Sequence, residues 1–176
     1  MGIEPSGGFL NFLRSKGYKV YESWEDFRSS EAAPFDVIAH FFVLEHIREP
    51  VEFLRSQLEV LKAGGRIIFE VPCVNDPLVT LYKVPAFDRF YWSIAHHWYF
   101  SSRSLSFILN KLNCRFKLIP EQRYDLSNHI VWMLEGKPGG QGRFSSIFSD
   151  ELIARYNEDL KQHWICDTIF CVLEKP

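Results

Sequence analysis

Apolar positions along this chain follow two rhythms, and the clearest switch between them runs from Phe35 to Pro72. Val37, Ile38 and Ala39 form a short apolar run without alternation, the pattern of a strand covered on both faces. Pro50 suits a first helical turn, where its missing N–H costs nothing. Val51, Leu54, Leu58 and Leu61 then recur at helical spacing and make one apolar stripe. Gly64-Gly65 ends that helix, because glycine adopts a left-handed cap without steric cost. Ile67, Ile68, Phe69 and Val71 make the next strand, and Pro72 stops it. Strand, helix and strand form a βαβ unit, which implies a parallel sheet with helices on its faces. Ligands of such sheets bind outside the carboxyl ends of the strands. The first strand ends in His40-Phe41-Phe42, followed by Glu45-His46, so polar and aromatic groups gather there.

The same reading extends over 1–176 as a single domain. Phe9, Leu10 and Leu13 share a helical face that Gly17 closes, and Lys19-Val20-Tyr21 reads as a strand. The segment 73–100 holds Pro77, Pro85 and many aromatic residues with no sustained period. It is expected to be an insertion with short helices, either a lid over the carboxyl edge of the sheet or a static satellite cluster. Ser101 or Ser102 caps a helix with Leu105, Ile108, Leu109 and Leu112 inward. Phe116 to Ile119 reads as a strand. A second insertion, 120–148, carries the polar string Arg123 to His129 beside Trp132 and then the turn Lys137-Pro138-Gly139-Gly140. Ser149 caps a last helix, and Thr168 to Leu173 closes the chain as a strand.

Composition narrows the class. Of 176 residues, 47% are hydrophobic and 24% charged, which suits a globular domain. Aromatic residues reach 16%, enough for a pocket lined with rings. A net charge of −2 gives no general attraction to nucleic acid or to an anionic membrane, so neither is an expected partner. No apolar run approaches membrane-spanning length, and the N-terminus lacks a signal-peptide pattern. Cys73, Cys114, Cys166 and Cys171 show no C-x-x-C spacing and read as reduced thiols of a cytoplasmic protein. No metal site is expected, since His96-His97 lacks the i, i+4 spacing and no H-E-x-x-H occurs.

Four pieces in order resemble a known family: Phe35-Asp36-Val37-Ile38, Leu44-Glu45-His46, Glu49-Pro50 and Leu61-Lys62-Ala63-Gly64-Gly65. Together they resemble the second half of a class I S-adenosylmethionine-dependent methyltransferase. The resemblance implies an α/β fold, a Rossmann-like three-layer sandwich whose mostly parallel sheet has an antiparallel last strand between its neighbours. It implies S-adenosylmethionine as cofactor and S-adenosylhomocysteine as product. Glu4 matches the acidic residue that takes the ribose hydroxyls, and Ser23 and Trp24 the adenine contacts. His40, Phe41 and Phe42 fall beside the cofactor's expected place. The family's first strand and its G-x-G-x-G loop are expected to be missing, which makes the sheet incomplete at the N-terminus and leaves an unpaired edge. A second alignment makes Gly7-Gly8-Phe9-Leu10 the tail of that loop. A second copy of the chain, as a homodimer, or a rearranged N-terminus is a candidate to fill the gap. The tail from His97 to Ser101, Arg123 to His129 and Asp167-Thr168 is similar to a subgroup linked to polysaccharide or secondary-metabolite pathways.

Methyl transfer from a sulfonium is an in-line displacement in which positioning does much of the work. An acceptor hydroxyl or acidic carbon also needs a base, and histidine suits it. His46, His96 and His97 are the catalytic candidates, with His129 behind them; Glu45-His46 read alternatively as a structural brace for its loop. Tyr124, Asn128 and His129 are the candidate substrate wall. The expected function is methyl transfer to a small-molecule or sugar-pathway acceptor. The alternative is a truncated, inactive fragment that acts as a binding or dimerisation module. A nicotinamide enzyme is disfavoured, because it needs the G-x-G-x-x-G that this sequence lacks.

Overall fold

The computed structural model describes residues 1–30 and 34–176, and the chain divides into two units, Met1–Pro34 and Phe35–Pro176. In the first, β1 (Gly2–Ile3) pairs in parallel with β2 (Val20–Tyr21). The crossover is α1 (Gly7–Ser15), amphipathic with Leu10 buried. Arg14 in its last turn reaches over the turn and donates from Nε and Nη2 to the Val20 carbonyl, at 3.2 and 3.1 Å. Gly17, at φ +82°, makes the turn that follows, a conformation glycine takes without a Cβ penalty. The short α2 (Trp24–Arg28) is capped by Ser23 Oγ, which accepts from the Asp26 N–H at 3.0 Å.

The second unit is built on a four-stranded sheet in the order β3-β4-β6-β5. Its strands are β3 (Phe35–Phe41), β4 (Leu61–Pro72), β5 (Arg115–Glu121) and β6 (Thr168–Glu174). β3 and β4 are parallel, and β6 runs antiparallel between β4 and β5. The antiparallel last strand is therefore where the sequence expected it, and the architecture is a Rossmann-like α/β fold with a mixed sheet. One sheet face carries Ile67, Phe69 and Val71 from β4 and Ile169, Cys171 and Leu173 from β6, all fully buried. Leu54 and Leu58 of α3 (Pro50–Glu59) and Leu105 and Leu109 of α6 (Ser102–Leu109) complete that core. Pro50 occupies the first turn of α3 as expected, and Ser101 caps α6 in a reciprocal box with Ser104.

Two expectations are corrected. Gly64-Gly65 does not cap α3, which stops at Glu59. The glycines lie in an excursion at the start of β4, where Phe35 pairs with Leu61 but Val37 already pairs with Arg66. Lys175 does the capping instead, with Nζ donating to the Leu58 and Leu61 carbonyls at 2.6 and 2.7 Å, a cation at the negative end of a helix. Gly65 is required sterically, because a Cβ there would sit 2.9 Å from the Lys62 carbonyl oxygen. Nor is β3 covered on both faces. It is the edge strand of its sheet, with Val37 and Phe41 exposed on one face. Its other face holds His40, whose ring packs against Phe53 of α3 and Phe69 of β4.

The segment 73–100 forms the expected short helices, α4 (Pro77–Thr80) and α5 (Pro85–Tyr91). Phe87 and Trp132 join edge to face at 5.0 Å, which ties α5 to α7 (Leu126–Glu135) in a second small core with Leu78 and Val84. Helix α7, capped by Asp125, takes up most of the polar string that the sequence left without an element. The last helix is α8 (Asp150–Gln162), capped by Ser149 as expected. No helix among the described residues is long and apolar enough to cross a membrane.

Candidate active site

At the carboxyl end of β3 the backbone turns sharply. Phe42 has φ +54°, which is strained for a residue with a bulky side chain. The Phe42 N–H still donates to the Glu70 carbonyl at 2.9 Å, so the turn remains anchored to β4. Phe41 and Phe42 are both exposed there. A one-turn 3-10 helix, Leu44–His46, follows. Leu44 is the apolar anchor that buries this turn, and it presents Glu45 inward and His46 outward.

The loop after α5 folds onto this turn and is held by its backbone. The His97 and Trp98 N–H groups donate to the Glu45 carbonyl at 2.8 and 3.2 Å. Trp98 Nε1 donates to the Ile47 carbonyl at 2.9 Å. His46 Nδ1 lies 2.9 Å from the Ala95 carbonyl. A carbonyl can only accept, so Nδ1 carries the proton and Nε2 keeps its lone pair. Nε2 lies 4.0 Å from Glu45 Oε1. The His96 ring meets the His46 ring edge to face at 4.7 Å. Burial raises the Glu45 carboxyl above its ordinary value, and His46 pulls it back in part. Burial lowers His96, and the neighbouring His46 adds to that. The adjacent His97 is exposed and lies outside this cluster.

A second polar group lies at the ends of β4 and β6. Glu70 is the one charge in the apolar run of β4 and is buried. Arg123 grips it with two N–H groups, Nε to Oε1 at 2.6 Å and Nη2 to Oε2. Thr168 Oγ1 donates to the same Oε1 at 2.6 Å. The Arg123 guanidinium also lies over the Phe42 ring, 5.4 Å from its centroid. Asp167, buried beside it, accepts from the Arg123 and Tyr124 backbone N–H groups and from Gln122 Nε2. Burial pushes Asp167 up to about 6 and, with help from the Asp167 charge, Asp76 up to about 7.

The residues singled out in the sequence fall into different settings. His46 and His96 come together with Glu45, a partnership across some fifty residues that spacing cannot reveal. Phe41 and Phe42 offer exposed rings at the strand end. His40 points away from them: its ring nitrogens are buried without a hydrogen-bond partner of good geometry among the described residues. Burial takes its pKa down to about 4, with Gln57 opposing. His129 is buried, with Nδ1 on the Tyr156 hydroxyl at 2.5 Å, and burial brings it to about 4. Asn128 is buried beside it, whereas Tyr124 is half exposed. In the first unit, Glu4 Oε1 accepts from the Ser6 N–H at 2.9 Å. There too Ser23 Oγ is committed to its helix cap, and Trp24 packs on Phe27 at 5.0 Å. Sequence reasoning missed Glu70, and it named Arg123 only as the start of a polar string. The available signal was a glutamate inside an otherwise apolar strand, which demands a cationic partner.

A methyltransferase-domain family model matches residues 5–117. No curated protein matches the chain significantly. Among solved structures, an S-adenosylmethionine-dependent methyltransferase from Archaeoglobus fulgidus aligns with 99% of this chain and 75% of its own, at 18% identity and a TM-score of 0.59. A possible histamine N-methyltransferase from Thermotoga maritima aligns with 99% and 72%, at 18% identity and a TM-score of 0.58. A plantazolicin methyltransferase, BamL, in complex with a triazolic desmethylPZN analogue and S-adenosylhomocysteine, aligns with 99% and 66%, at 12% identity and a TM-score of 0.56.

Proposed function

Since the chain belongs to the methyltransferase-domain family, we propose that it moves the methyl group of S-adenosylmethionine to a small-molecule or sugar-pathway acceptor at the carboxyl ends of β3 and β4. The observation that carries this reading is the orientation of His46. The Ala95 carbonyl fixes its Nδ1–H, so an exposed Nε2 lone pair is presented beside a buried carboxylate. When bound, S-adenosylmethionine supplies an activated methyl on a sulfonium. The remaining work belongs to this chain. His46 Nε2 takes the proton of the acceptor hydroxyl or acidic carbon. The Glu45 carboxylate, 4.0 Å away, stabilises the imidazolium that forms. The His96 ring, edge to face against His46 at 4.7 Å, limits how that ring can turn.

Each unit, taken by itself, offers groups of the kind the cofactor needs. Glu4 spends one carboxylate oxygen on Ser6 and has Oε2 left for a ribose hydroxyl. In the second unit Phe41 and Phe42 give flat apolar faces at the strand end, and Phe42 is steadied by Arg123. Exposed Trp92 and Trp98, with Tyr124, offer further ring surface for a sugar or heteroaromatic acceptor. Asn128 and His129 act behind Tyr124 as positioning residues of α7.

The test is turnover with S-adenosylmethionine and a panel of free and nucleotide-linked sugars, read as S-adenosylhomocysteine release. His46→Ala is expected to lower kcat by about 10²–10⁴-fold, the usual yield of general base catalysis, with little change in S-adenosylhomocysteine affinity. Turnover that survives His46→Ala unchanged removes His46 from the chemistry.

A further inference from the structure

We propose that Glu45, His46 and His96 form a binding site for a divalent transition-metal ion of the zinc type, with two imidazoles and one carboxylate as ligands. One donor atom from each of the three residues lies within 4.8 Å of the other two. Zinc–nitrogen and zinc–oxygen bonds of about 2.0–2.2 Å in tetrahedral array place such donors roughly 3.3–3.6 Å apart. An ion would draw the three donors closer together by at most about 1.5 Å.

Three independent features favour a ligand over a merely crowded cluster. Glu45 is 1% exposed, and its Oε2 has no hydrogen-bond partner among the described residues. A buried carboxylate oxygen left unpaired costs free energy that a cation would recover. His96 Nδ1 is buried and likewise without a partner among them. His46 has the arrangement usual in metal sites, one nitrogen donating to a backbone carbonyl while the other is left free to bind. The loop is already drawn onto the 3-10 turn by the His97 and Trp98 N–H groups, so the donors are preassembled. The sequence argued against a metal because it weighed local spacing, the adjacent pair His96-His97 and the absence of H-E-x-x-H. The structure supplies the missing ligands from the β3 end, fifty residues earlier.

Two histidines and a glutamate leave one coordination position open, the composition of sites where zinc meets water or substrate. His46 is exposed, so the open position faces solvent. The ion would take the same His46 Nε2 lone pair that the methyl-transfer reading uses as a base, so a metal-bound His46 and a proton-accepting His46 are alternative states of the site. The inference goes beyond methyl transfer, since it rests on the donor set alone.

The experiment uses the untagged full chain, stripped with a chelator and titrated with Zn²⁺ by calorimetry, with Co²⁺ absorbance as a second probe. One ion per chain is expected. Glu45→Gln, which keeps the side chain's size, and His96→Ala are each expected to weaken Zn²⁺ binding by at least about tenfold, the scale seen when metal sites lose supporting groups. His163→Ala, at the exposed residue that follows α8, is expected to bind as the wild type does. Zn²⁺ should also raise the melting temperature of the wild type and not that of Glu45→Gln. A stripped wild type that binds no Zn²⁺ on titration, or binding that survives both substitutions, overturns the site. Neither probe needs S-adenosylmethionine, so loss of methyl transfer and loss of metal binding are told apart.

Discussion

Replacing Arg123 by alanine tests whether the end of β4 is held as described. Glu70 is 2% exposed, and its carboxylate depends on two N–H groups of Arg123 and one hydroxyl from Thr168. Hydrogen bonds to a charged group contribute about 1.5–3 kcal/mol each, so two lost bonds set an upper range of roughly 3–6 kcal/mol. The Arg123 side chain is itself 50% exposed, and water can enter when it is removed. The expected loss is therefore about 2–3 kcal/mol, below the 3–5 kcal/mol typical of a fully buried broken pair. For a chain of this size that is a drop of about 4–12 °C in melting temperature. Burial pushes the Glu70 carboxyl up, but the hydrogen bonds from Arg123 and Thr168 bring it below its ordinary value. A folded pKa below the unfolded one gives stability that is present above about pH 4.5 and lost as pH falls through the folded value. The Arg123→Ala deficit should accordingly shrink in acid. The assay is thermal unfolding by circular dichroism across pH, with Glu70→Gln and the double variant to close a mutant cycle. A melting temperature within one degree of wild type at pH 7, with no coupling in the cycle, would refute the ion pair.

Other parts of the fold make equally definite demands. Asp76 is protonated in the folded chain up to about pH 7, so between about pH 4 and 7 the native state binds more protons than the unfolded one and stability declines as pH rises. Asp76→Asn keeps an oxygen for the Leu78 N–H and is expected to flatten that decline; an unchanged slope in urea melts at several pH values would disprove the assignment. A Cβ at Gly140 would sit 2.6 Å from the Val131 Cβ and 2.8 Å from the Asn128 Cα, so Gly140→Ala should cost about 1–3 kcal/mol as an overpacking change. Wild-type stability in that variant would show that the 139–142 turn does not pack on α7 as seen. Leu54→Ala, at a fully buried position of α3, should cost about 2–5 kcal/mol by cavity formation, and a loss under 1 kcal/mol in denaturant melts would mean that α3 is not docked on the sheet.

Local signals carried most of the second unit's elements. Pro50, Ser101 and Ser149 start helices where their chemistry requires, and the apolar run of β6 takes its antiparallel place between β4 and β5. What pattern could not supply was partnership at a distance. Gly64-Gly65 looks like a helix cap because a left-handed glycine serves both caps and strand excursions, and only Lys175 from the chain's end decides between them. Val37 to Ala39 is apolar throughout, yet one face is exposed, because hydrophobicity does not tell an edge strand from a central one. Glu45 and His96 are remote in sequence and adjacent in space. Helix α7 was hidden by Ser127, Asn128 and His129, polar residues buried by partners that sequence periodicity counts as solvent-facing.

The central claim is that this methyltransferase-domain chain acts with S-adenosylmethionine, and the most direct measurement is a calorimetric titration of the purified chain with S-adenosylhomocysteine. The expected result is saturable binding at one site per chain, substantially weakened by Glu4→Ala. Absence of any binding heat at millimolar ligand would contradict the claim and leave the chain as a binding module built on a methyltransferase fold.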